Sequence, residues 1–101
     1  MRTILAAAML AVMAFIASPI AKADRAEDDA FIAAITDDGI SMNRSDAITG
    51  GHAVCNYLLS GNGSMLDAMI QVKQERSWNM TEAAHFVDRS VQNYCPSLAP
   101  L

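Results

Sequence analysis

Two cysteines and two histidines are the residues of this chain best equipped for chemistry. Cys55 and Cys95 could form a structural disulfide, or they could join His52 and His85 as four ligands around zinc. His52 and Cys55 stand at i and i+3, on one face of a helix, which is the local half of such a metal motif. The other half is missing: there is no C-x-x-C, and His85 precedes Cys95 by ten residues, about 15 Å along a helix. An even cysteine pair in an exported protein normally oxidises. The expectation is therefore a Cys55–Cys95 bridge, with no metal and no cofactor, and His52 is assigned no role.

Catalysis has less to build on. His85, Asp88 and Ser90 could be drawn as a triad, but such residues are ordinary components of a solvated helix face. The chain has no nucleophile elbow, no phosphate loop and no distinctive carboxylate pair. The expectation is that it is not an enzyme. Met42, Met65, Met69 and Met80, with Trp78 and Tyr57, could line an apolar groove for a lipid, a haem or a partner helix. Core filling is the commoner use: Met69 falls on an inner stripe, Met80 suits a hydrophobic staple, and Trp78 can cap the domain from its loop. Three N-x-S/T sequons begin at Asn43, Asn62 and Asn79. Each sits where a turn meets a helix start, so turn and capping chemistry explains them without glycans.

These residues are carried by a chain in two unlike parts. Arg2 opens an n-region, Ile4 to Ala17 is uncharged and apolar, and Ala21-Lys22-Ala23 has the small residues that signal peptidase reads. Residues 1–23 are read as a cleaved signal peptide, in preference to an uncleaved anchor, and the mature chain begins at Asp24. Its remaining 78 residues make one small domain, 24–96, with a flexible tail at 97–101. Five basic and eleven acidic residues leave this part at a formal charge of −6. Nucleic acids and anionic membranes, which need a basic face, are excluded as partners. No further segment reaches the roughly 18 apolar residues of a span, so the expected product is secreted or attached to the cell envelope.

Four helix-sized segments follow and none alternates like a strand, so the fold class is all-α: a small four-helix domain stapled by one disulfide. The first opens on Asp24, Glu27, Asp28 and Asp29, carries Phe31, Ile32 and Ile35, and stops at Gly39. A second is expected from N-cap Ser45 to about Ser60, with Ile48, Gly51, Cys55 and Leu58 on one face and Val54 beside them. A helix beginning only after Gly51 is the alternative. Gly50-Gly51 inside the helix suggests a close backbone approach, with Gly51 facing the fourth helix and Gly50 on a freer side. Ser64 with Asp67 resembles a capping box for a third helix, whose inner stripe is expected to be Leu66, Met69, Ile70 and the stem of Lys73. Thr81 is expected to cap a fourth, with Ala84, Val87, Val91 and Tyr94 inward, Phe86 beside them, and Cys95-Pro96 ending it.

Taken together, Asp28-x-x-Phe31, Gly39-Ile40, Gly51-x-x-Val54-Cys55-x-x-Leu58-x-x-Gly61, Phe86-Val87 and Tyr94-Cys95-Pro96 resemble the domain of unknown function 732. This is a family of small secreted proteins found mainly in mycobacteria and their relatives. The resemblance implies a compact helical domain behind a leader, with a Cys55–Cys95 bridge. It implies no activity, so no catalytic or binding residue follows from it. The leading expectation is a secreted or envelope-associated helical interaction module that binds an unknown protein. The alternative is a carrier of an apolar small molecule, lipid or haem, in a groove between helices.

Overall fold

The computed structural model describes residues 24–99, so the expected signal peptide at 1–23 and its expected cleavage site lie outside the described residues. Four helices occupy that span: α1 (24–37), α2 (Arg44–Leu59), α3 (Met65–Arg76) and α4 (Met80–Tyr94), followed by a 3-10 turn at Pro96–Leu98. No strand occurs among the described residues. The all-α architecture is as the sequence implies, and Gly50 and Gly51 lie within α2.

Local chemistry sets most of the boundaries. α1 ends in a Schellman motif: Gly39 takes φ +85°, its N–H donates to the Thr36 carbonyl (3.0 Å), and the Ile40 N–H donates to the Ile35 carbonyl (2.9 Å). Ile40, the residue that follows the glycine, is buried and completes the hydrophobic half of that motif. Ser64 accepts from the Asp67 N–H while Asp67 accepts from the Ser64 N–H, the expected capping box of α3. The other two caps differ from expectation. Asn43 caps α2 by accepting from the Asp46 N–H (2.8 Å), and Asn79 caps α4 by accepting from the Glu82 N–H (2.8 Å). Ser45 and Thr81 therefore lie inside the helices. Asn79 wins because Glu82 at N3 reaches back to its backbone N–H, a reciprocal pair unavailable to a cap at Thr81.

α4 is the central element and packs against both α2 and α3, which touch each other much less. Its inward residues are Ala83, Phe86, Val87, Ser90 and Val91, so Ala83 rather than Ala84 meets the neighbouring helices. Phe31 and Ile35 of α1, Ile40, Ala47 and Val54 of α2, and Ala68 of α3 complete one core with Phe86 and Val87. Rings dominate it. Phe31 meets Phe86 edge-on at 5.5 Å and Tyr94 at 5.0 Å, and Trp78 covers Phe86 from the α3–α4 loop, also at 5.5 Å.

The inner stripe of α3 is a correction. Ala68 is its buried residue, flanked by Met65, Met69 and Val72, while Leu66 and Ile70 are 57% and 38% exposed and Lys73 is exposed. α3 carries apolar residues all round, so periodicity does not fix its rotation, and the close contact with α4 selects the small Ala68. Met80, expected as a staple before α4, is instead its exposed first residue. After Cys95 the chain turns back: Leu98 N–H donates to the Cys95 carbonyl (3.0 Å) and Ala99 packs beside the bridge. Pro96–Leu98 thus form a 3-10 turn with Pro96 as its first residue.

The Cys55–Cys95 bond joins α2 to the end of α4 across 40 residues, with both cysteines buried. Closing a loop of about 40 residues stabilises by roughly 4 kcal/mol in the chain-entropy model. That is a large share of what so small a core provides. Gly51 lies one turn before Cys55, and a Cβ there would stand 2.7 Å from Tyr94 Cε2 and 3.0 Å from Phe31 Cζ. The close approach is by two rings, not by a helix backbone as the sequence suggested. Gly50 is not on a free side either, since its Cβ would meet Phe86 Cζ at 3.1 Å.

Two stability predictions result. Cys55→Ser or Cys95→Ser lowers the unfolding free energy by about 2 to 5 kcal/mol in denaturant titrations. Gly51→Leu lowers it by at least about 1 to 3 kcal/mol through overpacking. Gly50→Ala stays within about 1 kcal/mol of the parent, because helix propensity offsets the crowding of Phe86. A Gly51→Leu variant that melts at or above the parent temperature contradicts the ring packing described.

Candidate functional site

The chemistry-bearing residues do not converge. Cys55 and Cys95 are consumed by their bond. The His52 ring lies on Tyr94, centroids 4.0 Å apart and 33° between planes, while His85 is half exposed with Nδ1 3.8 Å from Asp38 Oδ2. The two cysteines of the zinc pattern are thus bonded to each other, and the two histidines face different partners. Among the described residues there is no cluster of three or more His, Cys, Asp or Glu able to hold a metal ion.

The drawn triad separates in the same way. Ser90 is fully buried, and its hydroxyl donates to the Phe86 carbonyl one turn back (2.7 Å). His85 turns to Asp38, away from Ser90. Asp38 is held by Arg89, whose Nε and Nη2 donate to its two carboxylate oxygens at 2.8 and 3.2 Å. That fork holds the Asp38 carboxyl below its ordinary pKa, against the opposing effect of burial. Its visible role is to fasten the end of α1 to α4, as Arg44 with Asp29 (2.7 Å) fastens α1 to the start of α2. The sequon asparagines Asn43 and Asn79 are themselves the caps of α2 and α4. Met42, Met65 and Met69 pack against the core, as expected of filling residues.

Two surface hollows among the described residues bear on function. One, about 80 Å³, lies between α2 and α3. It is lined by the small or apolar residues Gly50, Ala53, Val54, Ala68, Val72 and Phe86 and by Tyr57, Gln71, Glu75 and Arg76. No motif announces it, because it is made by small residues on two helices. The other, about 240 Å³, opens beside the start of α1 and is lined by Asp24, Glu27, Asp28, His52 and Tyr94. Its lining is acidic, not apolar. There the Tyr94 hydroxyl donates to Asp28 Oδ1 at 2.6 Å, binding the end of α4 to the first turns of α1.

Burial raises the Tyr94 pKa above its ordinary 10.0, and the hydrogen bond to Asp28 and its negative charge raise it further. A raised folded-state value means that this contribution to stability is complete below about pH 10 and is lost as pH climbs toward the folded value. Stability of the parent is therefore expected to fall above about pH 10. Tyr94→Phe is less stable at neutral pH, by about 1 kcal/mol for the lost hydrogen bond, and has a shallower alkaline slope. Chemical denaturation at pH 7 to 11 measures both. Equal slopes in the two proteins exclude the Tyr94–Asp28 bond as the cause.

A family model, Protein of unknown function (DUF732), matches residues 27–97. The match begins in α1 and ends in the 3-10 turn, taking in both cysteines. No curated protein and no solved structure matches the chain. With four helices, the Cys55–Cys95 bridge and a match across nearly all the described residues, the chain belongs to the DUF732 family of proteins of unknown function.

Proposed function

We propose that the mature chain is exported and acts in the cell envelope or beyond it as a non-catalytic module that binds another protein. The observation that carries this reading is the shallowness of the apolar hollow. It measures about 80 Å³, whereas small-molecule sites occupy about 300 Å³ or more. A lipid or haem carrier needs the larger space lined by methionine and aromatic groups, and here Met42, Met65, Met69 and Trp78 pack against the core. Leu66 and Ile70, one turn apart on the outer face of α3, offer apolar surface to a protein partner. The burial and hydrogen bonding of the Ser90 hydroxyl support a non-catalytic role. Export is supported by the Ala21-Lys22-Ala23 motif and by the buried disulfide, a bond that oxidising compartments preserve. No helix among the described residues is long and apolar enough to cross a membrane.

Native mass spectrometry of the protein purified from its own host tests the class directly. The expected result is a complex with a second polypeptide, and a chain without added small-molecule mass once that complex is dissociated. A stoichiometric lipid or haem on the isolated chain overturns the reading in favour of a carrier.

A further inference from the structure

The disulfide sits in a second, smaller cluster beside the main core. Val91 is buried with Cys55 and Cys95, and Leu58, Met65, Tyr94 and Ala99 pack against them; among the described residues α1 contributes nothing to this cluster. Leu58, Met65 and Tyr94 belong to helices and also pack against the main core, so they move only with it. Ala99 is held by the 3-10 turn alone. Two hydrogen bonds fix that turn, from the Leu98 N–H to the Cys95 carbonyl (3.0 Å) and from the Ala99 N–H to the Pro96 carbonyl (3.1 Å). Leu98 itself is exposed and packs in neither cluster. The cover of the bond is therefore cheapest to open at the turn.

The two sulfurs have unlike surroundings. Cys55 lies within α2, and the Ser90 carbonyl oxygen stands 3.5 Å from its sulfur. Cys95 is the C-cap of α4, directly before Pro96 and the turn. A disulfide is attacked by a thiolate, an anion, and the rate depends on which sulfur it can reach. The carbonyl oxygen beside Cys55 opposes such an approach.

We propose that Cys95 is a site of modification by small thiols, gated by the 3-10 turn: opening of Pro96–Leu98 admits a thiolate to the Cys95 sulfur while α1 and the main core stay folded. The attacking sulfur forms a new S–S bond to Cys95 as the Cys55–Cys95 bond breaks. Cys55 leaves with the electron pair as a thiolate and takes up the proton that the attacking thiol gave up, so no net oxidation occurs. The end of α4 then carries the added group, and α2 carries one free thiol. Attack at a gated Cys95 goes beyond the partner-binding reading and does not depend on it.

The test exposes the oxidised, secreted protein to excess 2-mercaptoethanol and quenches early samples with N-ethylmaleimide. Trypsin then places Cys55 in peptide 45–73 and Cys95 in peptide 90–101. The expected first product carries mercaptoethanol on Cys95 and maleimide on Cys55. Leu98→Pro removes a donor of the turn and disfavours the helical backbone at Ser97, and is expected to raise the exchange rate about tenfold with little change in urea midpoint. Arg89→Gln releases the Asp38 fork that fastens α1 and is expected to change the rate by less than about twofold. The parent rate is expected to vary little with urea below the unfolding transition, because opening the turn exposes little surface. Mercaptoethanol found first on Cys55 overturns the proposal, as does a parent rate that climbs with urea as steeply as global unfolding. Both are read on the parent alone and need no variant to fold. An unchanged rate in Leu98→Pro, or equal acceleration by Arg89→Gln, overturns it as well.

Discussion

The missing side chain of Gly51 is the constraint on which the packing of the domain depends. Its vacancy on α2 is taken by the rings of Phe31 from α1 and Tyr94 from α4, so one position brings three helices together. Tyr94 is then placed to reach Asp28, and the next residue, Cys95, is placed to bond Cys55 one turn beyond Gly51. Ring packing and covalent bond thus specify the same approach of α2 to the end of α4. A glycine in a helix interior costs about 1 kcal/mol relative to alanine, and here the two rings that it admits offset that cost.

Features written in local chemistry were legible in the sequence. Gly39 as a left-handed stop, the Ser64–Asp67 capping box, the cysteine pair and the number of helices can each be argued from a few neighbouring residues. The N-termini of α2 and α4 were less so, because N-x-S/T offers two good caps two residues apart, at Asn43 or Ser45 and at Asn79 or Thr81. The two choices serve N–H groups two residues apart, and at α4 the reciprocal bond from the Asn79 N–H to Glu82 favours the earlier one. For α3 the sequence gives a helix without a phase: Leu66, Met69 and Ile70 form as plausible a stripe as Met65, Ala68, Met69 and Val72. Close contact with α4 favours alanine, a preference that hydrophobicity does not encode.

Recognition surfaces were the least legible part, for a related reason. The hollow between α2 and α3 exists because Gly50, Ala53 and Ala68 are small and because two helices packed on α4 do not close on each other. Neither cause is a motif. His52, His85 and Ser90, which have the residue types of a chemical site, are dispersed to ring stacking, an aspartate neighbour and a backbone hydrogen bond. Residue type alone suggested more chemistry than the fold assembles, and less shape.

The position of the disulfide also divides the domain by topology. Residues 55–95 form a covalent ring that contains the whole of α3 and α4, while α1 lies outside it. α1 is held by the Phe31 and Ile35 side chains, by the Arg44–Asp29 and Arg89–Asp38 pairs and by the Tyr94–Asp28 hydrogen bond, all of them reversible. Local opening of a protein starts where attachment is cheapest to undo. α1 can therefore lift away as a unit and expose the Gly51 seat, while the ring limits how far α3 and α4 can separate. The N-terminal helix is thus the one that the covalent bond secures least.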